Sequence, residues 1–199
     1  MIFLISERLL KDMEFIVELD RMKTILRQTS IIGEDRRDDD AQHSWHIATM
    51  AMILGEYSNE KIDVCKVIKM LLTHDLVELY AGDTFCYDKK GNESKREREL
   101  TGADKIYGML DEDKGKELRA LWDEFEEGET PEALFAASMD RLQPMLNNYH
   151  NNGGTWRKFN VAKEDIYKRI APVKKSSDEL WKFVEHMIED AYERGLISH

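Results

Sequence analysis

The stretch Leu71-Leu72-Thr73-His74-Asp75-Leu76-Val77-Glu78 sets an imidazole and two carboxylates within about one turn of an otherwise apolar segment. An ionised carboxylate buried without a partner costs several kcal/mol, and a divalent cation offsets that cost by binding oxygen and neutral imidazole nitrogen directly. His74 and Asp75 therefore read as metal ligands. Glu78, four residues after His74 and three after Asp75, turns its carboxylate to the same site.

Two further segments offer groups of the same kind. Ala41-Gln42-His43-Ser44-Trp45-His46 begins an amphipathic helix with His43 in its first turn and Asp38, Asp39 and Asp40 before it as caps that compensate the helix dipole. Phe135-Ala136-Ala137-Ser138-Met139-Asp140 places one acid among small and apolar residues, where it has no evident structural purpose. That helix opens at Thr130-Pro131-Glu132, an N-cap followed by a first-turn proline and an early acid.

The elements that must carry these side chains are helical. Leu118, Leu121, Trp122 and Phe125 repeat at helical spacing, as do Val64, Ile68, Leu71 and Leu72, while alternating strand-like segments are missing. The spacing predicts helices near 7–28, 41–57, 61–80, 94–110, 113–127, 131–150, 163–171 and 176–194. Gly82 to Ser94, containing Cys86-Tyr87-Asp88-Lys89-Lys90-Gly91-Asn92, is polar and turn-rich and reads as a loop beside the site, and Asn151-Asn152-Gly153-Gly154 is a second break. Neither is a domain linker. The expectation is an all-α, single-domain chain over residues 1–199, with its core at about 19–150, helices 163–194 packed on it, and the metal site between core helices.

His43, then His74-Asp75, then Asp140 reproduce the H…HD…D signature of the HD-domain metal-dependent phosphohydrolases. The neighbouring text strengthens the likeness: His43-Ser44-Trp45, Leu72-Thr73-His74-Asp75-Leu76-Val77-Glu78, Ala81-Gly82-Asp83, and Leu121-Trp122-Asp123-Glu124-Phe125-Glu126 leading to Thr130-Pro131-Glu132-Ala133. From about Leu19 to Tyr149 the chain resembles the subfamily that includes the 5'-deoxynucleotidases. The resemblance implies that His43, His74, Asp75 and Asp140 hold one divalent ion, whether Mn, Co, Fe, Zn or Mg. It assigns catalytic carboxylates to Glu78 and Asp83 and a substrate-contacting arginine to Arg27; Lys23, on the same predicted helix, is read beside it as a second phosphate contact. Two positions depart from the pattern. Gln42 stands where a glutamate often precedes the first ligand, and Gln28 replaces an aromatic residue that often follows the arginine. Both bear on substrate choice, and loss of a ring that packs on a sugar relaxes or redirects selection for deoxyribose.

The chemistry so implied is hydrolysis of a phosphomonoester. A bound cation lowers the pKa of its water and neutralises phosphate charge, and of Glu78 and Asp83 one orients the water while the other protonates the departing alkoxide. A guanidinium such as that of Arg27 grips phosphate oxygens in a bidentate fork. Arg27 is expected on the first helix, with Arg21 and Lys23.

Composition excludes other classes. With 40 acidic against 29 basic residues and a net charge of −11, the chain repels polyanions, so DNA and long RNA are poor partners, whereas a small anion beside a cation is not. The apolar start Met1-Ile2-Phe3-Leu4-Ile5 is broken at once by Ser6, Glu7 and Arg8, so neither a secretion leader nor a membrane span is expected. Cys65 and Cys86 stand alone, which fits a reducing cytoplasm. His46 reads as a packing or supporting residue behind the ligands, the four tryptophans as packing, and Met50, Met52 and Met70 as core filler; His150, His186 and His199 have no partner at useful spacing. The function expected is dephosphorylation of (deoxy)nucleoside 5'-monophosphates by a homodimer, since relatives commonly dimerise, with Trp181, Phe183, Val184 and Ile188 of the last helix serving core or interface. Hydrolysis of another small phosphoester and non-catalytic nucleotide or metal binding stand beside it.

Overall fold

A computed structural model describes residues 5–87 and 89–198; Met1–Leu4, Asp88 of the turn-rich segment, and His199 lie outside the described residues. In chain order the elements are α1 (Glu7–Leu19), a 3-10 turn at Asp20–Thr24, strands β1 (Leu26–Ser30) and β2 (Arg37–Asp39), and α2 (Asp40–Leu54). After a 3-10 turn at Gly55–Tyr57 come α3 (Val64–Thr73), a further 3-10 turn at His74–Val77, α4 (Glu78–Ala81), α5 (Lys89–Glu93), α6 (Lys95–Tyr107) and α7 (Glu112–Glu127). The chain closes with α8 (Pro131–His150), α9 (Gly154–Lys158), α10 (Lys163–Ser176) and α11 (Asp178–Glu193).

Small polar side chains start these helices by accepting from amides that have no intrahelical partner. Asp39 accepts from Gln42 N at the head of α2, Asp63 from Cys65 and Lys66 N before α3, and Ser177 from Leu180 N before α11. Thr130 caps α8 with Pro131 directly after it, as the sequence predicts. Gly128 ends α7 in the left-handed region, at φ 63°.

The helical expectation holds in outline: α5 forms inside the segment expected to be a loop, α9 lies outside the predicted helices, and two further departures shape the site. The helix predicted to reach residue 28 stops at Leu19, and the following chain forms a small antiparallel hairpin in which Leu26 faces Asp39 and Ser30 faces Arg37. The hairpin is fastened from far along the chain. Asn151, just past α8, donates to Ser30 O (3.1 Å) and Ile31 O (3.0 Å) and accepts from Gly33 N (2.9 Å). The second departure lies in the predicted 61–80 helix, which tightens into 3-10 winding at His74–Val77.

Two apolar clusters flank that turn. The larger unites Ile47 of α2, Met70 and Leu71 of α3, Phe135, Met139 and Leu142 of α8, Ile170 of α10 and Ile188 of α11. The smaller gathers Phe15, Leu76, Val77, Ile106, Tyr107 and Trp122. His74 thus sits at the seam between them. On the far side α6 comes so close that a Cβ at Gly102 would meet Val77 O at 2.6 Å, so only glycine allows this approach to the turn.

Val184 and Ile188 are core residues, Trp181 is half-buried, and Phe183 is exposed. Trp122 and Trp156 are buried as expected, but Trp45 and Met52, predicted as packing and core residues, both lie at the surface on α2. No described helix is long and apolar enough to cross a membrane.

Candidate metal centre

α2, the turn after α3, and α8 bring His43, His74, Asp75 and Asp140 to one place. One ligand atom from each of His43, His74 and Asp75 lies within 4.8 Å of the others. Asp140 Oδ1 stands 3.1 Å from His43 Nε2 and 3.7 Å from His74 Nε2. Asp75 Oδ2 is 3.0 Å from His74 Nε2 and 3.9 Å from His43 Nε2. All four residues are buried or nearly so.

The outer nitrogen of each ring is fixed by a partner behind it. His74 Nδ1 donates to Leu71 O at 2.9 Å. His43 Nδ1 donates to Gln143 Oε1 at 3.0 Å, and the Gln143 amide is itself oriented because its Nε2 donates to Asp38 Oδ2 at 3.0 Å. Both Nε2 atoms therefore point inward, the tautomer that metal ligation requires. His74 Nε2 approaches Asp75 without a directional hydrogen bond, and Asp40 Oδ2 and Glu78 Oε2 are likewise buried without a hydrogen-bond partner among the described residues. Two inward imidazole nitrogens, convergent carboxylates and unsatisfied buried atoms together fit a divalent cation.

The acids crowd one another, and their protonation shows it. Burial opposes charge on His74 most strongly, yet the charge of Asp75 and the close carboxylates of Asp75 and Asp140 overcome it and lift the imidazole to about 10. A cation would satisfy the same negative field in place of that proton. His43 moves the opposite way, lowered by burial and by the Arg27 charge. Burial works against Asp75 and Asp140, but His74, His43 and, for Asp75, Arg27 hold both below the usual carboxylate range. Glu78 is pushed up to about 10 by burial and by the charges of Asp75, Asp83 and Asp40. Asp83 is also raised, chiefly by burial, with Arg27 pulling against the shift.

Arg27 reaches this cluster from β1. Its Nη1 lies 2.7 Å from Asp75 Oδ2 and 3.0 Å from Asp40 Oδ1, and its Nη2 is 3.8 Å from Asp140 Oδ1. The residue expected on a helix beside Arg21 and Lys23 is thus on a strand, and only that strand turns it inward. Lys23 is not brought to the site: it sits on the 3-10 turn after α1 with its side chain largely exposed and paired with Asp20. The caps read from Asp38, Asp39 and Asp40 reduce to Asp39 alone. Asp38 holds Gln143 and the fully buried Asp40 holds Arg27, raised to about 8 by burial and Asp75 despite that arginine. His46 packs behind the ligands, 3.5 Å from Gln143 Nε2, as its supporting reading predicts.

Two cavities meet at the cluster. One, lined by His74, Asp75, Glu78, Glu126 and Asp140, is polar and spans about 900 Å³ including its open mouth. The other, lined by Phe85, Tyr87, Met145, Trp156, Ile166 and Ile170, is mostly apolar and spans about 670 Å³, again including its open mouth. Arg27, Asp83, Thr84, Cys86, Arg141 and Arg169 line both.

Residues 19–181 match the model of the HD domain family. The chain belongs to the HD-domain metal-dependent phosphohydrolases. The match passes the predicted core limit near residue 150 and takes in α10. The chain is 33% identical over 144 residues to the 5'-deoxynucleotidase HDDC2 of Dictyostelium discoideum, covering 69% of this chain and 75% of that protein. To its human counterpart it is 27% identical over 135 residues, covering 67% and 65%. The crystal structure of a protein described as a predicted metal-dependent phosphohydrolase, from Magnetospirillum magnetotacticum MS-1, superposes with a TM-score of 0.92 at 43% identity and 96% coverage of both chains. An HD-domain phosphohydrolase from Listeria innocua shares the fold at a TM-score of 0.62 and 16% identity, over 92% of this chain and 86% of that one. The HD-domain chain is metal-dependent, and His43, His74 and Asp75 are a group able to hold the ion.

Proposed function

We propose that this HD-domain protein removes the phosphate from nucleoside 5'-monophosphates, deoxynucleotides among them. The observation that carries the reading is the shared wall: an acid and imidazole cavity suited to a metal ion and phosphate opens directly onto an apolar, aromatic cavity suited to a nucleoside. The likeness to two 5'-deoxynucleotidases supports the substrate class.

In this reading His43, His74, Asp75 and Asp140 hold one divalent ion, with Mn, Co, Fe, Zn or Mg as candidates for the mixed nitrogen and oxygen set. When bound, the ion supplies positive charge against the phosphate and makes water more acidic. Glu78, which burial and its neighbouring acids bias toward the protonated form, gives its proton to the departing 5'-oxygen. Asp83, raised by burial but drawn back toward the ionised form by the charges of Arg27 and Arg37, accepts the proton of the attacking water. Arg27 holds Asp75 and Asp40 in place while presenting its remaining edge to the phosphate.

The chain reads as one domain over 1–199 and as a cytoplasmic protein, the latter because neither Cys65 nor Cys86 is in a disulfide among the described residues. Dimerisation is proposed through the apolar faces of α1 and α2, where Leu9, Met13, Ile16, Trp45 and Met52 are exposed, since α11 turns Val184 and Ile188 into the core. Phosphate release by metal-loaded protein from dAMP, AMP, a cyclic nucleotide and a sugar phosphate tests the function. Turnover of both 5'-monophosphates above the others is the expected result; turnover of the sugar phosphate alone would replace the nucleotide reading with that of another small phosphoester.

A further inference from the structure

We propose that Arg141 and Arg169 form a second guanidinium clamp that selects the anionic group of the substrate, at the wall joining the polar and apolar cavities. This inference rests on the phosphomonoesterase reading of the same site and adds a pair of specificity residues to it.

The argument begins with how the positive charges near the cluster are engaged. Arg27 is surrounded by Asp40, Asp75 and Asp140 at 3.0, 2.7 and 3.8 Å, so most of its charge is met by protein acids. Among the described residues Arg141 and Arg169 have no comparable carboxylate partners. Arg141 Nη1 donates to Ala137 O at 3.0 Å, and its nearest carboxylate oxygen is Asp140 Oδ2 at 3.6 Å. The nearest carboxylate oxygen to Arg169 is that same atom, at 3.9 Å from Nη2. Both distances exceed a direct hydrogen bond. Two permanent cations therefore share one oxygen of one carboxylate, whose other oxygen faces His43 and His74. No described carboxylate binds either guanidinium directly, so a small anion between them would take up donors that the protein leaves open.

Position narrows the class of anion. Both arginines line both cavities, so a group held between them touches the acid cluster on one side and Phe85, Tyr87 and Trp156 on the other. A phosphate ester of an organic molecule satisfies both halves, whereas free inorganic anions satisfy one. The two residues come from different helices. Arg141 follows Asp140 on α8, and Arg169 precedes the buried Ile170 on α10, which packs along α8. Each guanidinium offers a planar fork to phosphate oxygens.

Isothermal titration of the 199-residue protein with inorganic phosphate, together with initial rates on dAMP, tests the clamp. Arg169→Gln and Arg141→Gln are each expected to weaken phosphate binding and raise KM by roughly ten-fold, with kcat reduced much less and metal content unchanged. Arg169→Lys should recover part of the loss. If Arg141→Gln fails to fold, Arg169→Gln, at a side chain partly exposed to solvent, decides the matter alone. Unchanged phosphate affinity and KM in a folded Arg169→Gln protein, or no phosphate binding by the wild type, overturns the clamp. Wild-type protein that binds phosphate through these arginines yet releases none from dAMP leaves the clamp standing and removes the phosphatase reading instead.

Discussion

The two cavities that share the arginine wall are built by opposite means. On the acid side, buried polar atoms are held by partners that are themselves held: Asp38 orients Gln143, Gln143 orients His43, and Leu71 O orients His74. On the apolar side, Trp156, Ile166 and Ile170 are ordinary core residues that happen to end at a void. The contrast teaches that reactivity here is fixed by a chain of directional bonds, while accommodation of the organic group is fixed by shape. Substitutions on the two sides should therefore fail in different ways.

The largest effect is expected at the centre of the acid side. Asp75→Asn or His74→Ala should remove bound metal and lower kcat/KM by at least about a thousand-fold, with the far-UV helical signal retained. Metal content and phosphate release measure this, and full turnover in either variant rejects the ligand set.

Glu78→Gln should keep the metal yet lose roughly a hundred- to ten-thousand-fold in kcat, read by the same two assays. It also carries a sign that pH can test. In the folded, metal-free protein Glu78 holds its proton up to about 10, against an ordinary value of 4.5. As pH rises through that window the unfolded chain releases this proton and the folded chain does not, so wild-type stability falls. Glu78→Gln lacks this loss, and thermal melts of the two metal-free proteins should diverge in favour of the variant from pH 5 towards about pH 9. His74, also raised to about 10, loses stability in the same direction but is common to both proteins and cancels.

A smaller effect belongs to the residue behind the ligand. Gln143→Leu removes the partner of His43 Nδ1 and should weaken metal affinity by about ten- to a hundred-fold while leaving Arg141 and Asp140 in place. Equal affinity in a chelator competition counts against the orienting chain. The smallest change is expected on the apolar side, where Gln28 lines the cavity. Gln28→Trp should shift the ratio of kcat/KM for dAMP over AMP by no more than about ten-fold, without altering metal content.

The same contrast explains what the sequence discloses. His74, Asp75, Glu78 and Asp140 are legible because acids on apolar helices need a reason, and the structure gathers them at one seam. The tightened turn at His74–Val77 is not legible, since 3-10 and α winding share nearly the same apolar spacing. Arg27 is misplaced for a different cause. Its strand has five residues with a mixed burial pattern, and it is fastened by Asn151, more than a hundred residues later, so nothing local announces it. Asp40 and Gln143 look like a cap and a surface amide until their partners across the fold are known. Arg141 and Arg169 are hidden likewise, because charged residues on amphipathic helices usually face solvent.

α8 acts as a splint across the site. One turn of it carries Asp140, Arg141 and Gln143, and Asn151 beyond its last turn secures the hairpin that delivers Arg27. At about 1.5 Å of rise and 100° of rotation per residue, adding or deleting one residue between Gln143 and Asn151 would swing the hairpin's anchor away from its carbonyls without touching a single ligand. The length of that helical segment is thus under the same chemical constraint as the side chains it presents.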